Sequence, residues 1–217
     1  MKNSSPQDLI RIVKELVADS SLSSVVEDRV KEFQCVKTQD SRAWFEEMVF
    51  CILTANSKAE IGLKCVDALK RRNLILNGSQ EAVAKTLKEI HHRFALRRAE
   101  YIVLARERLD ALKEEVLSFG SSMTARAWLV NEFMGIGWKE SSHFLRNVGF
   151  LDLAILDRHV LKIMAEHTLI KEQTKSLTRK KYLEYESILR KFSCKVDIPL
   201  GKLDLYLWYL KTGKILK

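Results

Sequence analysis

The chain contains, between residues 133 and 160, the run Phe133-Met-Gly-Ile-Gly-Trp-Lys-Glu-Ser-Ser-His-Phe-Leu-Arg-Asn-Val-Gly-Phe-Leu-Asp-Leu-Ala-Ile-Leu-Asp-Arg-His-Val160. Gly135 and Gly137 bracket Ile136 between two segments with helical periodicity. Glycine permits positive φ and close backbone approach, so this spacing predicts a tight turn in which Ile136 plugs the joint. The second helix then presents free backbone N–H groups, which can bind a phosphate. Taken alone, Gly-x-Gly is more typical of an ordinary turn between helices.

Two side chains of this run suggest chemistry. Lys139 lies in the first turn of the second predicted helix, where the helix dipole disfavours an ammonium group and favours the neutral amine. A neutral lysine amine is a nucleophile that can form a Schiff base. Asp157 precedes another predicted helix, so it is expected to cap that helix. Individually, Lys139 is more typical of a surface lysine, and Asp157 of a helix cap; an N-cap role is compatible with a second role in charge stabilisation.

The rest of the chain predicts an all-α fold. Hydrophobic residues make up 47% of the sequence, and 8 glycines and 2 prolines leave little to interrupt helices. We expect two helical lobes around a cleft, an N-terminal lobe of about residues 1–120 and a catalytic lobe of residues 121–217, with the N-terminal helices on either lobe. In the first half of the chain, the pattern predicts a helix capped by Asp40 or Ser41, then helices at Lys58–Leu69, at Gln80–Ile90 with Ser79 as its cap, and at Leu96–Leu117. Residues 74–76 are predicted to be an apolar connector. In the second half it predicts a helix from Ser121 or Ser122 to about Met134, then Lys175–Phe192 and Leu200–Lys211, the last of which ends at Gly213.

The charge and the cysteine content limit the classes of protein to which the chain can belong. Lys and Arg number 37 against 28 Asp and Glu, a formal net charge of +9. This excess favours a polyanionic partner such as nucleic acid, although a solvated basic surface is an equal alternative. None of the cysteines forms a C-x-x-C pair, and neither His143 nor His159 has metal-ligand spacing, so no zinc site or iron–sulfur cluster is indicated. No signal peptide or membrane-length apolar run is seen, which favours an intracellular protein, and the low Gln and Asn content favours a thermophile.

Three motifs together resemble a known family. Gly-Ile-Gly-x-Lys139 followed by Leu-Asp157-Arg-His-Val resembles the helix-hairpin-helix DNA glycosylases with a catalytic lysine. The stretches at 133–149, at 203–209 (Leu-Asp-Leu-Tyr-Leu-Trp-Tyr) and at 212–217 (Thr-Gly-Lys-Ile-Leu-Lys) are similar to one branch, the type 2 8-oxoguanine DNA glycosylase/AP lyases. The chain departs from the wider superfamily at Met134, where a proline is common, and in its Asp loop, which has Gly149 but no proline. It also lacks the four-cysteine cluster of the endonuclease III branch.

The resemblance implies a bifunctional DNA repair enzyme for duplex DNA that contains 8-oxoguanine. Lys139 would attack C1′ of the flipped nucleotide, and β-elimination through a Schiff base would then cut the strand. Asp157 would stabilise positive charge at the sugar and help to activate the lysine, while Gly135 and Gly137 would bind DNA phosphate. No cofactor and no catalytic metal are implied, although a monovalent cation is compatible with the hairpin. We further expect a monomer in the prokaryotic cytoplasm, associated with the nucleoid.

The resemblance also implies residues that contact the base and its partner. Asn56 matches a position whose side chain is inserted into the vacated stack, although an Asn at a helix C-terminus is an equally good interpretation. Arg98, with its neighbour Arg97, would contact the opposite cytosine or its phosphates, and the alternative is a solvated helix face. Base recognition is assigned to Lys217, Trp208 and Phe94, with core packing as the alternative for the two aromatic residues.

Two other functions fit the same motifs. One is a bifunctional glycosylase for oxidised pyrimidines, with the same hairpin and a different pocket. The other is a non-enzymatic helix-hairpin-helix DNA-binding module, in which the hairpin only grips phosphates.

Overall fold

The structure is a computed structural model that describes residues 5–171 and 177–217. Every regular element in these two ranges is helical, which confirms the predicted all-α fold class. The α-helices are α1 Pro6–Ala18, α2 Ser20–Thr38, α3 Ser41–Thr54, α4 Ala59–Arg71, α5 Leu74–Asn77, α6 Gln80–Glu89, α7 Ala95–Ala105, α8 Leu109–Ser118, α9 Ser122–Glu132, α10 Trp138–Asn147, α11 Arg158–Glu166, α12 Arg179–Val196 and α13 Leu200–Thr212. None of the helices in the described ranges combines the length and the apolar character needed to cross a membrane.

Local capping signals set the starts of several helices. The side chains of Asp40, Ser79 and Ser121 each accept a hydrogen bond from the backbone N–H three residues further on. These bonds satisfy donors that the first turn of a helix leaves without partners, so the sequence marks these starts on its own. The predicted cap at Ser79 is confirmed. Of the predicted alternatives, Asp40 rather than Ser41 and Ser121 rather than Ser122 are the N-caps.

The predicted continuous helix from Leu96 to Leu117 is wrong. α7 ends at Ala105, a 3₁₀ turn covers Arg106–Arg108, and α8 begins at Leu109. At this break the Arg106 guanidinium donates to the carbonyls of Leu74 and Ile75 at 2.6 and 2.7 Å, and also to that of Gly78. The apolar stretch at 74–76, which was predicted to be a connector, lies in the short helix α5. The hydrogen bonds of Arg106 connect the break between α7 and α8 to this helix.

The helix predicted at Lys175–Phe192 differs from the observed helix at its ends. Its predicted start at Lys175 lies outside the described residues. The described part begins at Arg179, after a cap by the Thr178 side chain, and it runs to Val196 rather than stopping at Phe192.

Backbone contacts divide the chain into two compact units. The hairpin unit is Cys35–Val148, and the Asp-loop unit combines the chain up to Gln34 with Gly149–Lys217. This division differs from the predicted boundary at residue 120, because α8 packs on α3 and also on α9, so the chain passes that point without leaving the hairpin unit. The helix-hairpin-helix motif therefore shares a unit with the middle of the chain.

Each unit has its own core. In the hairpin unit, α3 is buried along most of its length and packs against α4, α7, α8 and α10, as expected for a helix that is apolar nearly all round. In the Asp-loop unit, α13 packs against α1, α11 and α12. Large buried side chains of this second core include Leu9, Phe33, Met164, Tyr182, Leu189, Phe192, Leu203, Tyr206 and Leu207.

Candidate active site and DNA interface

The hairpin lies between α9 and α10. Gly135 has φ +82°, and a Cβ added there would lie 2.3 Å from the Tyr101 ring, so only glycine fits this position. Ile136 is buried, as predicted for the residue that plugs the joint, and its N–H donates to the Phe133 carbonyl at 3.2 Å. Gly137 is the N-cap of α10 and offers no side chain to cap it. The N–H groups at the start of a helix can bind an anion.

Lys139 lies in the first turn of α10, as predicted. Its Nζ is 3.0 Å from Oε1 of Glu140, and the exposed fractions of the two side chains are 24% and 14%. The other oxygen of Glu140, Oε2, accepts a hydrogen bond from the Gly137 N–H at 3.3 Å. The carboxylate therefore connects the hairpin glycine to the lysine amine. A lysine that is three-quarters shielded from water differs from the typical exposed surface lysine.

Arg98 is buried, which excludes a solvated helix face as its role. Its guanidinium donates to the Ala55 carbonyl at 2.8 Å, and an added Cβ at Gly135 would lie 3.1 Å from its NH1. Burial lowers the pKa of Arg98, and the nearby Glu140 carboxylate opposes this shift. Asn56 follows directly after Ala55, is exposed and adopts a left-handed φ of +57°. This conformation fits both an inserted side chain and the end of a helix, so the predicted contacts of Asn56 and Arg98 with the opposite base stay predictions.

Phe94 lies at the N-terminus of α7 with 36% of its surface exposed. The guanidinium carbons of Arg93 and Arg98 lie 4.9 and 5.9 Å from its ring centroid. An exposed aromatic ring among cations can stack on a base, because every base has a π face. Arg97, by contrast, is exposed and reaches the Tyr101 hydroxyl at 3.5 Å. The role of Phe94 in base recognition stays a prediction.

Asp157, in the Asp-loop unit, is the N-cap of α11, as predicted. Its Oδ1 accepts hydrogen bonds from the N–H groups of His159 and Val160, both at 2.8 Å. The loop before it is fixed by α12: Glu186 accepts from the Ala154 N–H at 2.9 Å, and the Tyr182 hydroxyl donates to the Ala154 carbonyl at 2.7 Å. These bonds give the Asp157 carboxylate a defined position and direction.

The remaining predicted base-pocket residues also belong to the Asp-loop unit. The Trp208 ring packs edge-on against His159, with a centroid distance of 4.9 Å, so it lies beside the helix start that Asp157 caps. After Gly213, which has φ +67° and ends α13 as predicted, Ile215, Leu216 and Lys217 are each half-buried. This partial burial is what a docked segment requires. The roles of Trp208 and Lys217 at the base stay predictions.

The predicted residues thus fall into two groups. Lys139, Gly135, Gly137, Asn56, Arg98 and Phe94 belong to the hairpin unit, and Asp157, Trp208 and Lys217 to the Asp-loop unit. His143 packs edge-on against Phe50 at 5.5 Å in the hairpin core. Within the described ranges, no group of three or more His, Cys, Asp or Glu side chains is placed to hold a metal ion.

Sequence reasoning missed three residues that organise these groups: Glu140, Glu186 and Tyr182. A signal for Glu186 was present, because it lies on the apolar stripe of α12 between Tyr185 and Leu189 and is only 3% exposed. A carboxylate on a buried stripe indicates a specific hydrogen-bond partner. Glu140 had a weaker signal, since a Glu three residues after an N-cap is part of a capping box.

Comparison with known proteins agrees with this geometry. A family model described as 8-oxoguanine DNA glycosylase (Ogg-HhH) matches residues 26–198. The 8-oxoguanine DNA glycosylase/AP lyase of Methanocaldococcus jannaschii is 46% identical over 209 residues, which cover 96% of this chain and 99% of that protein. A Thermotoga relative of the same name is 44% identical over 192 residues, covering 88% of this chain and 91% of its own.

Solved structures show the same fold. A crystal structure of the M. jannaschii 8-oxoguanine glycosylase/lyase in complex with a 15mer DNA containing 8-oxoguanine has a TM-score of 0.92 at 44% identity, covering 96% of this chain and 99% of that one. The 8-oxoguanine DNA glycosylase of Thermotoga maritima has a TM-score of 0.91 at 40% identity, with coverages of 98% and 100%. On the family match and these identities, the chain belongs to the 8-oxoguanine DNA glycosylase family.

Proposed function

We propose that this protein removes 8-oxoguanine from duplex DNA and cleaves the strand at the resulting abasic site. The observation that carries the proposal is Lys139, a largely shielded amine in the first turn behind the Gly135–Gly137 hairpin, in a chain that belongs to this family. Relatives named 8-oxoguanine DNA glycosylase/AP lyase, and the relative solved with DNA containing 8-oxoguanine, support the substrate and both activities.

The chemistry begins with a flipped nucleotide. Extrusion exposes C1′, and an inserted side chain, proposed to be Asn56, fills the vacated stack. The start of α10, directly behind the Gly135 and Gly137 hairpin, binds a backbone phosphate, which places the sugar at Lys139.

Lysine attack then replaces the base. The neutral Lys139 amine forms a bond to C1′, the C1′–N9 bond breaks, and its electron pair leaves with the base, which takes one proton from the new ammonium. Opening of the sugar gives a Schiff base, and loss of a C2′ proton expels the phosphate on the 3′ side. Asp157 stabilises the positive charge that develops at C1′, since charge stabilisation by fixed groups is a large part of catalysis.

Base recognition is proposed for Phe94, Trp208 and Lys217, and opposite-base contact for Arg98. No step of this sequence requires a cofactor, and a monovalent cation at the hairpin stays a prediction. The organisms of the relatives are prokaryotes, which supports a place of action in the cytoplasm, on the nucleoid. A monomer is the proposed working form.

A borohydride-trapping assay tests the proposal. A duplex with one 8-oxoguanine opposite cytosine is incubated with wild type and with Lys139→Gln, and a covalent adduct with the wild type alone is expected. An adduct with an abasic duplex but none with the lesion duplex would reject the lesion assignment and keep the lyase chemistry; a panel with oxidised pyrimidines then identifies the substrate. No adduct on either duplex would leave only a DNA-binding module.

A further inference from the structure

The carboxylate of Glu140 contacts the amine proposed as the nucleophile. We propose that Glu140 is a positioning residue that holds the Lys139 side chain and accepts its proton as the amine becomes nucleophilic. This inference rests on the proposed function, because it needs Lys139 as the attacking group.

The contact between the two side chains is unusual for neighbours on a helix. Adjacent positions project in different directions, so such pairs do not normally face each other. Here Glu140 is turned back toward the N-terminus of α10 by the hydrogen bond from the Gly137 N–H to its Oε2. This leaves Oε1 at 3.0 Å from the Lys139 Nζ. The hairpin glycine therefore fixes the carboxylate, and the carboxylate fixes the amine.

The charges explain why a partner is needed there. An ammonium in the first turn of a helix is disfavoured by the helix dipole, whereas a carboxylate is favoured. Both side chains are largely removed from water, so their attraction is screened less than that of an exposed pair. Glu140 thus supplies a carboxylate partner where the helix does not favour the charge of the lysine, and Lys139 must give up a proton before it can attack.

Conversion to the amine is a proton transfer within this pair. One N–H bond of the Lys139 ammonium breaks, its proton forms an O–H bond with Oε1 of Glu140, and the electron pair stays on Nζ. The products are a neutral amine and a neutral carboxylic acid, so charge and protons balance without another reactant. The lone pair on Nζ is then free to form the bond to C1′.

The other charged and titratable groups of this region do not replace Glu140. Burial raises the pKa of the Cys51 thiol, on which Lys139 and Glu140 both act, so that thiol remains neutral. Arg98, from α7, is a cation whose guanidinium donates to the Ala55 carbonyl, and the nearby Glu140 carboxylate opposes the lowering of the Arg98 pKa by burial. The other buried charged or titratable side chains on the helices of this region include Glu47 on α3, Arg126 on α9, and His143 and Arg146 on α10.

Asp157 serves a different role in this scheme. Its Oδ1 already accepts two backbone N–H groups of α11, which commits that oxygen to the helix. The division of labour that follows is proton acceptance by Glu140 and stabilisation of the sugar cation by Asp157.

The test separates charge from capping. Glu140→Gln keeps an oxygen that can accept the Gly137 N–H, because Gln also completes a capping box, but it removes the charge and the proton acceptor. Glu140→Asp keeps the carboxylate with a shorter reach. The matched control is Asp8→Asn, because Asp8 caps α1 in the same way, accepting the Ser5 N–H at 2.8 Å, and has no part in the proposed chemistry.

Borohydride trapping on a duplex with a preformed abasic site is measured under single-turnover conditions across a pH series, together with DNA affinity and the melting temperature. For Glu140→Gln we expect a melting temperature and DNA affinity close to wild type, and trapping slower by at least about a hundredfold near pH 7, the lower end of the range for loss of a general base. The deficit should shrink as pH rises, because hydroxide replaces the missing acceptor. Glu140→Asp should be intermediate, and Asp8→Asn should trap like wild type.

Three results for Glu140→Gln would overturn the inference. The first is a trapping rate equal to that of wild type at every pH, and the second is a trapping rate reduced by the same factor at every pH. The third is a reduction in trapping that is explained by weaker DNA binding. The second and third would make Glu140 only an anchor of the hairpin. Failure of the proposed function is distinguishable, because wild type itself would then give no adduct, or Lys139→Gln would give the same adduct as wild type.

Discussion

Replacement of Gly135 by alanine should destabilise the protein by two separable effects. An alanine at φ +82° adopts a left-handed conformation, which costs about 1–2 kcal/mol for a residue with a Cβ. The added methyl would also lie 2.3 Å from Cδ2 of Tyr101, and overpacking of this kind costs about 1–3 kcal/mol. Together the loss is about 2–5 kcal/mol, which lowers Tm by roughly 4–20 °C for a chain of this size.

Two other glycines separate the contributions. Gly213 also has a positive φ, +67°, but a Cβ there would meet nothing within 4 Å, so Gly213→Ala reports the backbone cost alone. Gly120 has neither a positive φ nor a neighbour within that distance, and Gly120→Ala should be neutral or slightly stabilising. The double variant Gly135→Ala/Tyr101→Ala should recover the packing part of the loss.

Thermal unfolding by circular dichroism measures all four variants, and single-turnover trapping on an abasic duplex follows those that fold. The expected order of Tm is Gly120→Ala highest, then Gly213→Ala, then the Gly135 variant. If Gly135→Ala melts no lower than Gly213→Ala, the contact with Tyr101 does not determine the shape of the hairpin, and the reasoning is refuted.

Substitutions at three further residues, each with a comparison variant, test the Asp-loop unit. Asp157→Asn keeps an oxygen that can cap α11, so it should leave Tm nearly unchanged but abolish most base excision. Asp157→Ala should lose base excision and also about 1 kcal/mol of stability. Equal excision by Asp157→Asn and wild type would show that the negative charge of Asp157 has no role in the reaction. Glu186→Leu leaves the buried Ala154 N–H without its acceptor, so the free energy of unfolding measured in urea should fall by about 1–3 kcal/mol. Glu186→Gln keeps an acceptor oxygen and should fall by less. A larger loss for Glu186→Gln than for Glu186→Leu would contradict this role. Lys217→Ala should slow 8-oxoguanine excision more than cleavage of a preformed abasic site, and Lys214→Ala should change neither; parallel losses in both assays would exclude base recognition by Lys217.

Sequence reasoning succeeded where the determinants are local. Caps such as Asp40, Ser79 and Asp157 act on N–H groups two or three residues away, so both partners can be read from one short window. The hairpin is also local, because the two glycines and the buried Ile136 define it. The family resemblance rested on the hairpin and Asp-loop motifs and on two short stretches near the C-terminus, and the family match confirms it.

Prediction from the sequence failed where a residue far along the chain determines the local structure. The helical pattern from Leu96 to Leu117 is continuous, yet Arg106 donates to carbonyls of α5 about thirty positions earlier, and the helix breaks there. Arg98 could be read as a solvated cation, whereas it is buried on the Ala55 carbonyl, more than forty positions away. Such bonds have no signature in a single sequence, because the partner is a backbone carbonyl, which every residue has.

The buried side of α10 shows how the hairpin unit fixes the direction of Lys139. Asn147, at the end of the helix, donates to Glu47 of α3 at 2.9 Å and accepts from Arg146 at 3.0 Å. Midway along the helix, the Ser142 hydroxyl accepts a hydrogen bond from Arg126 of α9 at 3.1 Å. Buried groups of this kind are costly unless paired, so any rotation of α10 would break several bonds at once. A nucleophile has to be held to within about 0.5 Å of its productive position. The polar network thus restricts the whole helix, and Glu140 only has to orient the last few atoms of the lysine.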